Sequence, residues 1–173
     1  MDLNSLFGLP AHPLVVHVAV VLLPLSAIGA IACLKRSVRD RIGLIVAGLA
    51  IVSMLAVGAA QSSGESLGEK VPETALVSAH EDMGNRVLPW AFLLAGSITV
   101  LVGLDYVRRW IERDDEPTTS TRTAPSWYRP VLVAASVLVV ISALGSTITV
   151  IEVGHSGAKA TWDKVASQPT KGG

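Results

Sequence analysis

The chain has 173 residues, room for one ordinary domain, yet half of it is hydrophobic, only 16% is charged and its mean hydropathy is +0.52. A soluble domain carries about 25% charged residues, so a water-soluble fold is disfavoured from the outset. Zero formal net charge gives no general attraction to nucleic acid, and a lone cysteine, Cys33, excludes an intramolecular disulfide and any C-x-x-C motif.

The charged residues are clustered, which leaves four long apolar segments. A helix needs about 20 apolar residues to cross a hydrocarbon core of ~30 Å. The first segment, residues 13–34, is interrupted by His17 and Ser26 and carries Pro24 inside, where a kink is expected. Ile31-Ala32-Cys33 faintly resembles a lipoprotein cleavage box, but the basic cluster follows the apolar run instead of preceding it. Cys33 is therefore expected to be buried near the inner membrane surface. The second segment, 42–60, has Ser53 as its polar side chain; the third, 88–107, is apolar apart from Ser97, Thr99 and, near its end, Asp105 and Tyr106. The fourth, 131–153, carries the small polar stripe Ser142, Gly145, Ser146, Thr149 and Glu152. Small residues permit close helix packing and hydroxyls supply interhelical hydrogen bonds, so packing is the expected role of that stripe.

The connections set direction. Nine Lys and Arg residues (35, 36, 39, 41, 108, 109, 113, 122 and 129) fall on one side, against five (70, 86, 159, 164 and 171) on the other. Positive loops stay cytoplasmic, which predicts an all-α integral membrane four-helix bundle with both termini outside. The short basic turn after the first span forces an antiparallel hairpin. Residues 71–87 read as a short amphipathic helix in the outer loop between spans two and three, with Leu76, His80, Met83 and Val87 as its inward stripe and Glu81 and Asp82 pointing elsewhere. Residues 114–126 read as a flexible cytoplasmic linker and 161–173 as a frayed tail. Ser63-Gly64 and Ser156-Gly157 hint at an internal repeat, on two residues each.

This topology gathers His12, His17, His80 and His155 at the outer end. His12 precedes Pro13 and is expected to be extended, just before the helix starts. Five residues separate it from His17, about 140° around a helix, so the two should not share one ion. A metal site is expected to combine His17 with His80 or His155. Glu152, Glu65 and Glu81 are candidates to orient a histidine or to handle protons. For each histidine the alternative is a hydrogen bond that merely satisfies a buried polar group.

Several segments carry a family resemblance. Gly8-Leu9-Pro10-Ala11-His12-Pro13-Leu14-Val15-Val16-His17 resembles the opening of the bacterial membrane family catalogued as domain of unknown function 2231, whose first span begins with a His-Pro-x-x-x-His pattern. Ser63-Gly64-Glu65, Ala79-His80-Glu81 and Val153-Gly154-His155-Ser156-Gly157-Ala158 also resemble that family's outer-side motifs. The resemblance covers nearly the whole chain and implies a four-span bundle of no established activity in a bacterial plasma membrane. Relatives associated with Rieske and cytochrome-type proteins imply redox work.

Three functions are weighed. One is a b-type haem or transition-metal site for membrane electron transfer, with the four histidines as ligand candidates and a redox protein as partner. Another is a structural or accessory subunit, as monomer or homodimer, without a cofactor. Last is a transporter, disfavoured because no span carries a charge at mid-membrane. No Gly-x-Ser-x-Gly elbow or other hydrolytic constellation stands out.

Overall fold

A computed structural model describes residues 5–6, 9–68, 74–113 and 125–166. A minimal antiparallel ribbon, β1 (Ser5–Leu6) with β2 (Leu9–Pro10), leads into α1 (Ala11–Ala32). Then follow α2 (Arg36–Gly68), α3 (Ala75–Asn85), α4 (Val87–Arg113) and α5 (Tyr128–Ala166). Four of the helices, α1, α2, α4 and α5, are long and apolar enough to cross a membrane; α3, with 11 residues, falls well short of the length required.

The long helices form a ring in which α1 packs on α2 and α5, and α4 packs on the same two. Contact across the α1–α4 diagonal is slight. The centre is built from small and aliphatic side chains such as Ala27, Ala50, Ala91, Leu94, Ile98 and Val139. Lipid tails are as apolar as leucine, so helices in a membrane gain little from burying apolar area and associate instead through close packing and interhelical hydrogen bonds. Buried serines occupy both hairpins. Ser26 Oγ lies 2.9 Å from Ser53 Oγ between α1 and α2, and Ser97 Oγ lies 3.4 Å from Ser142 Oγ between α4 and α5. Ser142, Ser146 and Thr149 each donate to a carbonyl of their own helix, which leaves no unsatisfied hydroxyl in the α5 stripe. Gly145 completes that stripe by admitting the ring of Trp90 against the α5 backbone. The outward surface is the reverse of a soluble protein's, with Val21, Ile28, Leu44, Ile45, Leu55 and Ile151 all more than half exposed. A belt of this kind is the lipid-facing side of a spanning bundle.

Several expectations need adjustment. Helix α1 begins at Ala11, so His12 is helical and not extended; a proline in the first helical turn has no N–H bond to lose. Helices α2 and α5 overrun the spans read from hydropathy, because a helix extends past the hydrocarbon wherever its end packs on another element. Residues 161–166, expected to fray, belong to α5; 114–124 of the expected linker and 167–173 of the tail lie outside the described residues. The amphipathic helix exists but is shorter than expected. It is capped by Thr74, whose side chain accepts from Val77 N at 3.3 Å.

At the turn between α1 and α2 sits a feature the hydropathy reading passes over. Arg39 is buried; its Nη2 donates to Asp105 Oδ1 at 3.1 Å, its Nε to Oδ2, and its Nη1 to the Cys33 carbonyl at 2.8 Å. One guanidinium thus fastens the α1–α2 turn to α4. Cys33, beside it, is fully buried, as expected.

Candidate functional site

All four histidines fall at the end of the bundle opposite Arg39, where α1 begins, α2 and α5 end and α3 crosses between them. A cavity of about 580 Å³ opens among these helices, within the range of sites that hold small molecules and cofactors. His12 and His17 from α1, Glu65 from α2, and His80 and Glu81 from α3 line it. Glycines supply much of the wall: Gly64 and Gly68 from α2, Gly84 from α3, and Gly154 and Gly157 from α5.

His12 and His80 are seated in the same way. His12 Nδ1 is 3.1 Å from Ser63 Oγ, and Ser63 Oγ donates to the carbonyl three residues earlier, Ala60, at 3.0 Å. His80 Nδ1 is 2.9 Å from Ser156 Oγ, which donates to the carbonyl three residues earlier, Val153, at 2.9 Å. Each ring then lies against the glycine that follows its serine. A Cβ at Gly64 would come 3.1 Å from His12 Cε1, and one at Gly157 would come 3.2 Å from His80 Cε1. The hint of a repeat in the two Ser-Gly pairs thus has a physical content: each pair is the seat of one histidine. The match is not complete, because His12 Nδ1 is also 3.1 Å from the Ala60 carbonyl. Neither ring has a hydrogen-bond partner for Nε2 among the described residues.

The other candidates are placed differently. His17 lines the cavity but is exposed, with Nδ1 turned back to the Pro13 carbonyl of its own helix at 2.5 Å. His155 is exposed and does not line the cavity, although its neighbours Gly154 and Gly157 do. Of the expected partners for His17, His80 shares the cavity with it and His155 does not; His12 lines the cavity as well. Glu152 is exposed and outside the cavity, whereas Glu65 lines it. Glu81 was expected to point elsewhere but also lines it. On α3, Val77, His80, Glu81 and Gly84 line the cavity, Glu81 while largely exposed; of the expected stripe, His80 and Val87 line it and Leu76 is exposed. Gln61 of α2, not among the expected site residues, ties α2 to α3 by donating to the Gly84 carbonyl at 3.0 Å.

His80 lies on α3, outside the spanning segments. Burial pushes its pKa below the ordinary imidazole value; the neighbouring His12 acts in the same direction, and Glu81 opposes both. The neutral imidazole, the form able to donate an electron pair, is thereby favoured. The Ser63 and Ser156 hydroxyls each have a carbonyl of their own helix within hydrogen-bond reach as well as a histidine nitrogen. Among the described residues, no three His, Cys, Asp or Glu side chains converge as a set able to hold a metal ion by themselves.

The family model described as "Predicted membrane protein (DUF2231)" matches residues 8–168. The chain belongs to that family. The match runs from the residues before His12 to the end of α5, so the cavity and both Ser-Gly seats lie within it. No curated protein and no solved structure matches the chain. Membership agrees with the four apolar helices in making this a membrane protein and assigns no activity.

Proposed function

We propose that the cavity binds haem b between His12 and His80 and that the protein takes part in membrane electron transfer. The observation that carries this reading is the pair of similarly seated imidazoles on one cavity, each held through Nδ1 and each with Nε2 unpartnered among the described residues. Haem brings four equatorial nitrogens of its own and needs from the protein only axial ligands, for which histidine is a regular choice. A bare transition-metal ion would need further ligands, and the described residues around this pair offer no third one in a converging set. His12 and His80 would hold the group, and Glu65 and Glu81 would be the acidic groups able to exchange protons near it. When bound, haem supplies a one-electron redox centre.

The nine-to-five distribution of Lys and Arg supports placing the cavity and both termini on the outer side of a bacterial plasma membrane. An electron-transfer partner would then approach from that side.

A second reading, a structural or accessory subunit without cofactor, is favoured by the hydrogen bonds that already satisfy one nitrogen of His12, His17 and His80. Transport ranks behind both, because the buried ion pair of Arg39 and Asp105 belongs to one end of the bundle and not to its middle.

The deciding experiment is an absorption spectrum of detergent-purified protein from haem-supplied cells, oxidised and dithionite-reduced, with metal analysis. A reducible Soret band near one haem per chain, lost in His12→Ala and His80→Ala and kept in His155→Ala, is expected. A colourless protein leaves the accessory reading in place.

A further inference from the structure

The two seats fix more than ring position. Each serine hydroxyl has one proton and a carbonyl of its own helix within reach to accept it: Ala60 for Ser63, Val153 for Ser156. With the proton placed there, the oxygen facing the histidine is an acceptor and the imidazole Nδ1 is the donor, the role that the Ala60 carbonyl, which can only accept, also requires of His12 Nδ1. A neutral imidazole that carries its proton on Nδ1 leaves a lone pair on Nε2. We infer that Ser63 and Ser156 are positioning residues that hold both cavity histidines in the Nδ1–H tautomer, so that the site presents two electron-pair donors and takes a Lewis-acidic metal centre, not an anion.

The consequence for haem affinity rests on the function proposed above; the tautomers themselves do not. The two seats also differ in one respect. His12 Nδ1 has the Ala60 carbonyl as a second acceptor, at the same 3.1 Å as Ser63 Oγ. His80 Nδ1 has Ser156 alone. The serine is therefore decisive at His80 and supported by backbone at His12. Outer partners of this kind orient ligating histidines, and their removal lowers metal affinity about 10- to 100-fold.

The test uses the full chain in detergent, labelled with ¹⁵N-histidine and free of haem, with the tautomers read from long-range ¹H–¹⁵N couplings. Wild type should show His12 and His80 both protonated on Nδ1. Ser156→Ala should turn His80 into a tautomer mixture and leave His12 unchanged. Ser63→Ala should change His12 little, and Ser156→Thr should restore His80. Titration of the same proteins with haemin should then show Ser156→Ala binding about tenfold or more weakly than wild type. Nε2–H tautomers in the wild type, or a His80 indifferent to Ser156→Ala, overturn the inference. Correct tautomers in a protein that takes up no haemin sink the haem reading alone. Normal haemin uptake by a Ser156→Ala protein whose His80 has become a tautomer mixture sinks the link between tautomer and affinity alone.

Discussion

Arg39 and Asp105 face each other with side chains only 6% and 5% exposed, joined by two hydrogen bonds between α2 and α4. A paired charge in such a place is tolerated because each partner cancels the other's desolvation, and the Cys33 carbonyl takes a further guanidinium proton. Removing one partner leaves an uncompensated buried charge. Asp105→Ala is expected to lower stability by about 3–5 kcal/mol, seen as an earlier unfolding transition in detergent. The double replacement Arg39→Met/Asp105→Leu should recover most of that loss. A double variant no better than the single one would mean that the pair contributes net stability beyond mutual neutralisation.

The Trp90 ring of α4 packs directly against Gly145 of α5. A Cβ at Gly145 would collide with the indole ring. Gly145→Ala should therefore destabilise by about 1–3 kcal/mol through overpacking, although alanine is the better helix former. Trp90→Leu in the same chain should relieve the clash. Thermal unfolding of the two variants measures both effects.

Gly64 and Gly157 test the cavity itself. Alanine at either position would press on the Cε1 edge of a histidine ring, at 3.1 Å and 3.2 Å, without entering the apolar centre. Far-UV circular dichroism and the unfolding temperature should change little, while haem content or haemin affinity falls. Variants that fold and bind like the wild type would show that the ring seats are looser than these distances imply.

Acid should act on α3 first. The pKa of His80 is lowered from its ordinary 6.5 by burial and by His12, with Glu81 opposing. Above 6.5 His80 is neutral whether α3 is docked or released, so its docked state is then at full stability. As pH falls below 6.5 the released imidazole takes up a proton that the docked one resists, and docking weakens until the lowered pKa is passed. Hydrogen exchange of α3 amides in the haem-free protein should accelerate over that interval relative to α4. His80→Gln should flatten the difference; an unchanged profile would assign the effect to another group.

Much of this architecture is legible in the sequence, for a definite reason. A chain that crosses hydrocarbon must satisfy every backbone group within its own helix, so each span is written as one contiguous apolar run. The four spans, the hairpin at Lys35, the short outer helix and the collection of histidines at one end all follow from such local runs. What sets side chains against each other does not. Ser63 and His12 are 51 residues apart, Ser156 and His80 are 76 apart, and Arg39 and Asp105 are 66 apart. Which serine meets which histidine depends on the ring order of the helices and on the rotation of each about its axis. Apolar spans leave that rotation nearly unmarked, because the lipid-facing and core-facing sides are both apolar. In α3 the cavity takes in Glu81 and leaves Leu76 exposed, which the apolar pattern does not distinguish. The sequence by itself determined a four-span membrane bundle with its histidines at one end; only the packing of the helices decided that His12 and His80, each on its own Ser-Gly seat, are the two that share the cavity.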